Sequence, residues 1–111
     1  MSDASTHDRI DALVRSDDVV LFMKGTRDFP QCGFSAVVVK ALKLLDQPFT
    51  EINVLEDPDI REGVKAYANW QTIPQLYVRG EFVGGCDIVR EMYESGELQT
   101  LLAQKEGSAQ S

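Results

Sequence analysis

The stretch FPQCGFS, Phe29 to Ser35, holds Cys32, one of only two cysteines in the chain; the other is Cys86. A thiol–disulfide site usually carries a Cys-x-x-Cys pair, but here the second position is Ser35, which has no sulfur and cannot close a disulfide. Cys32 falls between an apolar run ending at Lys24 and a helical pattern opening at Phe34. A thiol at that junction meets unpaired N–H groups and the positive end of a helix dipole, which favour the thiolate. Such placement lowers a cysteine pKa from about 8.5 to roughly 3.5–7.5. Lys24 adds a cation if the intervening loop folds back. Free cysteines are most often buried and inert, yet Gly33 and Pro30 around a strand-to-helix turn select the reactive reading for Cys32. Its partner is then Cys86, a small-molecule thiol or a metal.

The ligand count narrows the metals. A zinc site takes four Cys- or His-type ligands, and the chain has two cysteines and one histidine, His7, which sits in a polar stretch and reads as solvated. An iron–sulfur cluster also takes four ligands, normally thiolates. Two copies each giving Cys32 need two further thiolates from elsewhere; two copies each giving both cysteines close the count unaided. Both routes stay open on the residues alone.

Other residues can hold an anionic thiol compound. Arg61 and Lys65 lie four apart, so their cations share a helix face, although Asp59 and Glu62 beside them make a solvated face the plainer reading. In GGCD, Gly84 to Asp87, glycines precede a helix N-terminus whose amides can hold a carboxylate, with Asp87 as its cap. Trp70 and Tyr77 read as core.

The elements that must position these groups follow from periodicity. Ile10, Leu13 and Val14 predict a helix over Asp8–Ser16, and VVLFMK (Val19–Lys24) a buried strand. Phe34, Val37, Val38, Ala41, Leu42 and Leu45 form one stripe of a long helix that Pro48 ends. FTEINV (Phe49–Val54) alternates as a strand. Asp57 and Pro58 then start a helix with Ile60, Val64 and Tyr67 inward. IPQLYV and EFVGG flank a hairpin turn at Arg79-Gly80. A helix with Ile88, Val89, Met92 and Tyr93 inward closes at Gly96, and Leu98, Leu101 and Leu102 add a turn or two. The first two strands make a parallel pair through their helical crossover, the hairpin adds two antiparallel strands, and the result is an α/β fold with a four-stranded mixed β-sheet flanked by helices. Ligands of such sheets sit at the carboxyl ends of strands, where Cys32 falls.

The 111 residues fit one domain, read as 8–102 between flexible ends at 1–7 and 103–111. A net charge of −7 and no basic run argue against nucleic acid and against an anionic membrane surface. The N-terminus carries neither an apolar signal core nor an arginine-rich pattern, and no segment is apolar over a membrane's thickness. Two cysteines in a chain without such a signal then point to a reducing compartment, and the cytoplasm is the expected one.

Together FMKG (Phe22–Gly25), FPQCGFS (Phe29–Ser35), DIRE (Asp59–Glu62), WQTIPQLYV (Trp70–Val78) and GEFVGGCDI (Gly80–Ile88), in order over about Ile10 to Leu102, resemble the monothiol glutaredoxins of the Cys-Gly-Phe-Ser type. The resemblance implies a thioredoxin-like fold, a cis peptide bond before Pro74, and glutathione binding by Lys24, Arg61, Ile73, Gly85, Cys86 and Asp87. In that family's pattern Lys24 and Arg61 meet the glycine carboxylate, the Ile73 backbone the cysteine, and Cys86 with Asp87 the γ-glutamyl end. It further implies Cys32 as catalytic thiol and as ligand of a [2Fe–2S] cluster shared by a homodimer, with each subunit's glutathione giving another thiolate. BolA-like proteins and recipient iron–sulfur apoproteins are the implied partners. The chain departs from the pattern at Gln71, where the family commonly has Pro, while the long Gly25–Gln31 loop goes with weak glutaredoxin activity. The expected function is thus assembly, carriage or transfer of [2Fe–2S] clusters. The alternative is a glutathione-dependent thiol–disulfide oxidoreductase with Cys32 as nucleophile.

Overall fold

The structure, a computed structural model, describes residues 3–104. The elements run α1 (Asp3–Val14), β1 (Val19–Met23), α2 (Gly33–Leu44), β2 (Thr50–Asn53), a 3-10 turn (Val54–Glu56), α3 (Pro58–Ala68), β3 (Gln75–Val78), β4 (Glu81–Gly84), α4 (Cys86–Ser95) and α5 (Glu97–Ala103). The strands form one sheet in the order β2-β1-β3-β4. β1 is parallel to β2 (Phe22 opposite Ile52) and antiparallel to β3 (Phe22 opposite Gln75), and β3 pairs antiparallel with β4.

β1 explains the two-sided architecture. All five of its residues are buried, and alternate side chains enter different cores. Val19, Leu21 and Met23 pack with Val38, Val39 and Leu42 of α2, Val89 of α4 and Leu98 of α5. Val20 and Phe22 pack with Ile10 and Val14 of α1, Ile60 and Val64 of α3, and Tyr77. A strand buried on both faces reads as a continuous apolar run, which is why VVLFM carries no polar residue.

The helix expected from Asp8 begins at Asp3. Tertiary packing supplies what the polar sequence lacks: the His7 ring lies 5.0 Å from Tyr67 of α3, Arg9 pairs with Asp57 at 2.6 Å, and Tyr67 donates to Asp11 at 2.7 Å. Of the expected C-terminal tail, Ala103 ends α5 and Arg79 donates to the Gln104 carbonyl at 2.7 Å; the rest of it, like residues 1 and 2, lies outside the described residues.

Three further readings need correction. Asp87 is not the cap of α4: the helix starts two residues earlier than expected, with Gly85 at the N-cap, and Asp87, in the first turn, faces Arg90 at 3.6 Å. Phe34 and Ile88 point outward, with Phe34 62% exposed; both lie in the first turn of their helices, ahead of the stretch that packs on the sheet. Asp57 caps α3 as expected, its carboxylate accepting from the Ile60 N–H at 3.2 Å.

The loop between β1 and α2 is folded back tightly. The Gln31 N–H donates to the Lys24 carbonyl at 2.9 Å, and Gly25 bridges to Pro30. The Arg27 N–H donates to Glu51 at 2.8 Å. Its guanidinium donates to Glu51 and to the Phe49 carbonyl and lies 4.1 Å from the Phe49 ring centroid. Partial burial pushes the Glu51 carboxyl up, but the Arg27 hydrogen bonds and charge outweigh it and hold it below the usual glutamate range.

Candidate functional site

A groove of about 480 Å³ opens where β1, α2, α3, the β3 entry and α4 converge, and Cys32, Lys24, Arg61, Ile73, Gly85, Cys86 and Asp87 all line it. Every candidate site residue read from the sequence is therefore brought to one place. The sheet order explains how: β1 and β3 are central neighbours, so the residues that follow β1, precede β3 and open α4 meet at one end of the sheet.

Cys32 is half-buried at the N-cap of α2, with extended backbone (φ −148, ψ 135). Partial burial pushes its thiol up; the nearby Ser35 and Phe34 amides, the Lys24 charge and the Ser35 hydroxyl outweigh that, and the net direction is down. Cys86, buried in the first turn of α4, goes the opposite way: burial raises its thiol most, with Arg90 opposing and Asp87 and Cys32 adding to the rise. The two thiols of the groove are thus differentiated, Cys32 shifted toward the thiolate and Cys86 away from it.

Ser35 is more than the absence of a second cysteine. It is fully buried, and its hydroxyl accepts from the Lys24 N–H at 3.1 Å, so it ties the end of β1 to α2. The thiol's pH response follows from this. In wild type, alkylation of Cys32 is expected to rise through a midpoint below the ordinary cysteine value of about 8.5, while Cys86 reacts slowly and only at higher pH. Ser35→Ala leaves the Lys24 N–H unpaired, costs about 1–2 kcal/mol of stability, and moves the Cys32 midpoint upward. Rates of iodoacetamide labelling against pH, read by mass spectrometry at each cysteine, check both; equal midpoints for the two wild-type thiols are the contrary result.

The opposite wall is cationic. Arg61 and Lys65 both reach the groove, so their face is not merely solvated; Lys65 also pairs with Glu62 at 3.4 Å. The Arg61 Nε is buried without a partner among the described residues. Buried polar atoms normally have partners, so this orphan donor points to an acceptor supplied by a ligand. Trp70, expected in the core, instead lines the groove with an equally unpartnered Nε1, whereas Tyr77 is core, 1% exposed. A Cβ on Gly85 would come within 3.2 Å of the Pro74 carbonyl oxygen and of Trp70 Nε1, so any side chain here would press on this wall of the groove. The Ile73–Pro74 peptide is cis, as the resemblance implied.

Gln71, Thr72, Phe34 and Ile88 also line the groove; the sequence marked Gln71 as a departure from the family's pattern beside Thr72, and assigned Phe34 and Ile88 to the inward stripes of their helices. Among the described residues no three His, Cys, Asp or Glu side chains cluster as metal ligands.

The comparisons agree with this geometry. The sequence profile described as Glutaredoxin matches residues 19–83, more than half of the chain. Monothiol glutaredoxin-S14, chloroplastic, of Arabidopsis thaliana is 59% identical over 92 residues, which cover 83% of this chain and 53% of that protein. The chain spans about half the length of that relative. The solution structure of reduced poplar apo GrxS14 superposes with a TM-score of 0.74 at 58% identity, covering 84% of this chain and 85% of that one. A buckwheat glutaredoxin–glutathione complex superposes at 0.80 with 25% identity, covering 90% and 89%. The fold is thioredoxin-like. With one thiol at the head of α2 and serine where a second would stand, the chain belongs to the glutaredoxin family, in its monothiol branch.

Proposed function

We propose that this chain binds glutathione in the groove and carries a [2Fe–2S] cluster as cargo between two copies, with Cys32 and one glutathione thiolate from each copy as the four ligands. The observation that carries the reading is the convergence in one groove of Cys32, at the head of α2 with its thiol shifted down, and the orphan Arg61 Nε. Lys24 and Arg61 supply cations for the glycine carboxylate, the Ile73 backbone pairs with the cysteine residue of glutathione, and Gly85, Cys86 and Asp87 at the start of α4 receive the γ-glutamyl end. The buckwheat relative is itself a glutathione complex. Cys86, buried with a raised pKa, is a poor second ligand from the protein, which favours the glutathione route over the all-protein one. BolA-like proteins and iron–sulfur apoproteins are the partners this role calls for, and the cytoplasm is its compartment. Anaerobic incubation with iron, sulfide and glutathione is expected to give a coloured dimer, read by visible absorption across a size-exclusion peak. A colourless monomer under those conditions overturns the reading.

The lowered Cys32 thiol also favours a second activity, weak glutathione-dependent reduction of mixed disulfides. Cys32 thiolate attacks the glutathione sulfur of a glutathionylated protein; the S–S bond breaks, the protein leaves as a thiolate and takes a proton, and Cys32 holds the glutathione. A second glutathione thiolate then attacks that glutathione's sulfur, giving glutathione disulfide and restoring Cys32. Turnover without iron distinguishes this activity from cluster carriage.

A further inference from the structure

Gln75 opens β3 on the same face as Tyr77, opposite Phe22, in an otherwise apolar core, and it is completely buried. A buried amide in such a place is retained only when it is fully hydrogen-bonded, and this one is: Nε2 donates to the Trp70 carbonyl at 3.0 Å and the Thr72 carbonyl at 3.3 Å, and Oε1 accepts from the Tyr77 hydroxyl at 3.0 Å. The network fixes the amide's orientation, because a flipped amide would set its oxygen against two carbonyls and its N–H₂ against the phenol. Burial pushes the Tyr77 phenol far up, so it stays a donor.

The two carbonyls belong to the segment 70–73, which forms one wall of the groove. Its start is held by the Trp70 N–H donating to the Lys65 carbonyl at 2.9 Å; within the segment Gln75 makes the anchoring contacts. In a planar trans peptide the C=O and the following N–H point to opposite sides. Drawing the Trp70 and Thr72 oxygens inward therefore turns the Gln71 and Ile73 N–H groups away from the core. Among the described residues the Ile73 N–H donates to no backbone acceptor.

We propose that Gln75 is a positioning residue for the thiol ligand: its buried amide clamps the Trp70 and Thr72 carbonyls and so presents the Ile73 N–H to whatever occupies the groove. The ligand part rests on the glutathione reading above; the clamp itself does not.

The test uses the full chain, wild type and Gln75→Met, titrated with reduced glutathione and observed through backbone amide NMR. In the free variant the Gln71 and Ile73 amides should shift and exchange faster, and glutathione affinity should fall about tenfold. The pH midpoint of Cys32 alkylation should stay at the wild-type value, because its donors belong to α2; simple loosening of the fold would move it. In Gln75→Glu the affinity, taken relative to wild type at each pH, should recover as pH falls and the protonated carboxyl donates to one of the two carbonyls. Unchanged Gln71 and Ile73 amides in folded Gln75→Met, or wild-type glutathione affinity with those amides loosened, overturn the proposal. If wild type takes up no glutathione while the variant's wall amides still loosen, the clamp stands and the glutathione reading of the groove falls.

Discussion

Cys32→Ser is expected to abolish cluster loading completely, leaving a colourless monomer after reconstitution, whereas Cys86→Ser keeps most of the absorption. The asymmetry follows from the two environments. Cys32 is half-buried at the head of α2, where the Ser35 and Phe34 amides and Lys24 hold its thiol down despite partial desolvation. Cys86 sits in the first turn of α4, where burial pushes its thiol up. In the proposed cluster site, removing Cys32 from both copies would take away two of four thiolates, and serine oxygen is a poor soft-metal donor. Removing Cys86 leaves the thiolate count of the glutathione route intact. The measurement is visible absorption and iron per chain for each variant, with circular dichroism to establish folding. Equal loss in both variants would instead assign all four thiolates to the protein, two from each chain. The same pair tests the proposed oxidoreductase activity: Cys32→Ser is expected to eliminate it, and Cys86→Ser to preserve it if free glutathione is the resolving thiol.

Much of this site was legible in the sequence because its signals are local. A cysteine beside glycine at a strand-to-helix junction, Asp57-Pro58 at a helix start, and Arg79-Gly80 between two apolar runs each act through their immediate neighbours, and the elements they mark form where expected. What escaped depends on contacts distant in the chain. Phe34 satisfies the helical stripe yet is exposed, because the first turn of α2 projects past the sheet into the groove. Trp70 has the composition of core and lines the ligand wall instead. The polar residues before Asp8 have no helical stripe, but α3 gives His7 a ring to pack on. Ser35 looks like a missing thiol; its burial against the Lys24 amide, eleven residues away, cannot be read from spacing. Gln75 did leave a trace, a polar residue inside IPQLYV, whose meaning required knowing which carbonyls lie within its reach.

The loop that carries the thiol should be as sensitive as the thiol itself, and Gly25→Ala tests it. Gly25 has φ +94, a conformation that costs a side-chain-bearing residue about 1–3 kcal/mol. Beyond that strain, an added Cβ would stand 2.5 Å from the Phe29 carbonyl oxygen and 2.6 Å from the Gln31 nitrogen. Both are backbone atoms of the same turn, so no side chain can swing aside, and the turn must open. Opening breaks the Gly25–Pro30 bridge and the bond from the Gln31 N–H to the Lys24 carbonyl, which together hold Lys24 near Cys32. A total cost of about 3 kcal/mol lowers Tm by roughly 10 °C or more in a domain of this size. The Cys32 alkylation midpoint should rise as the Lys24 charge moves away, and cluster loading should fall with it. Gly33→Ala is the stability control: it follows the same cysteine, but nothing lies within 4 Å of its added Cβ, and alanine suits the first turn of a helix at least as well as glycine. A Gly25→Ala chain with wild-type Tm and an unmoved Cys32 midpoint would show that the turn is slack, and that helix α2 alone sets the thiol's chemistry.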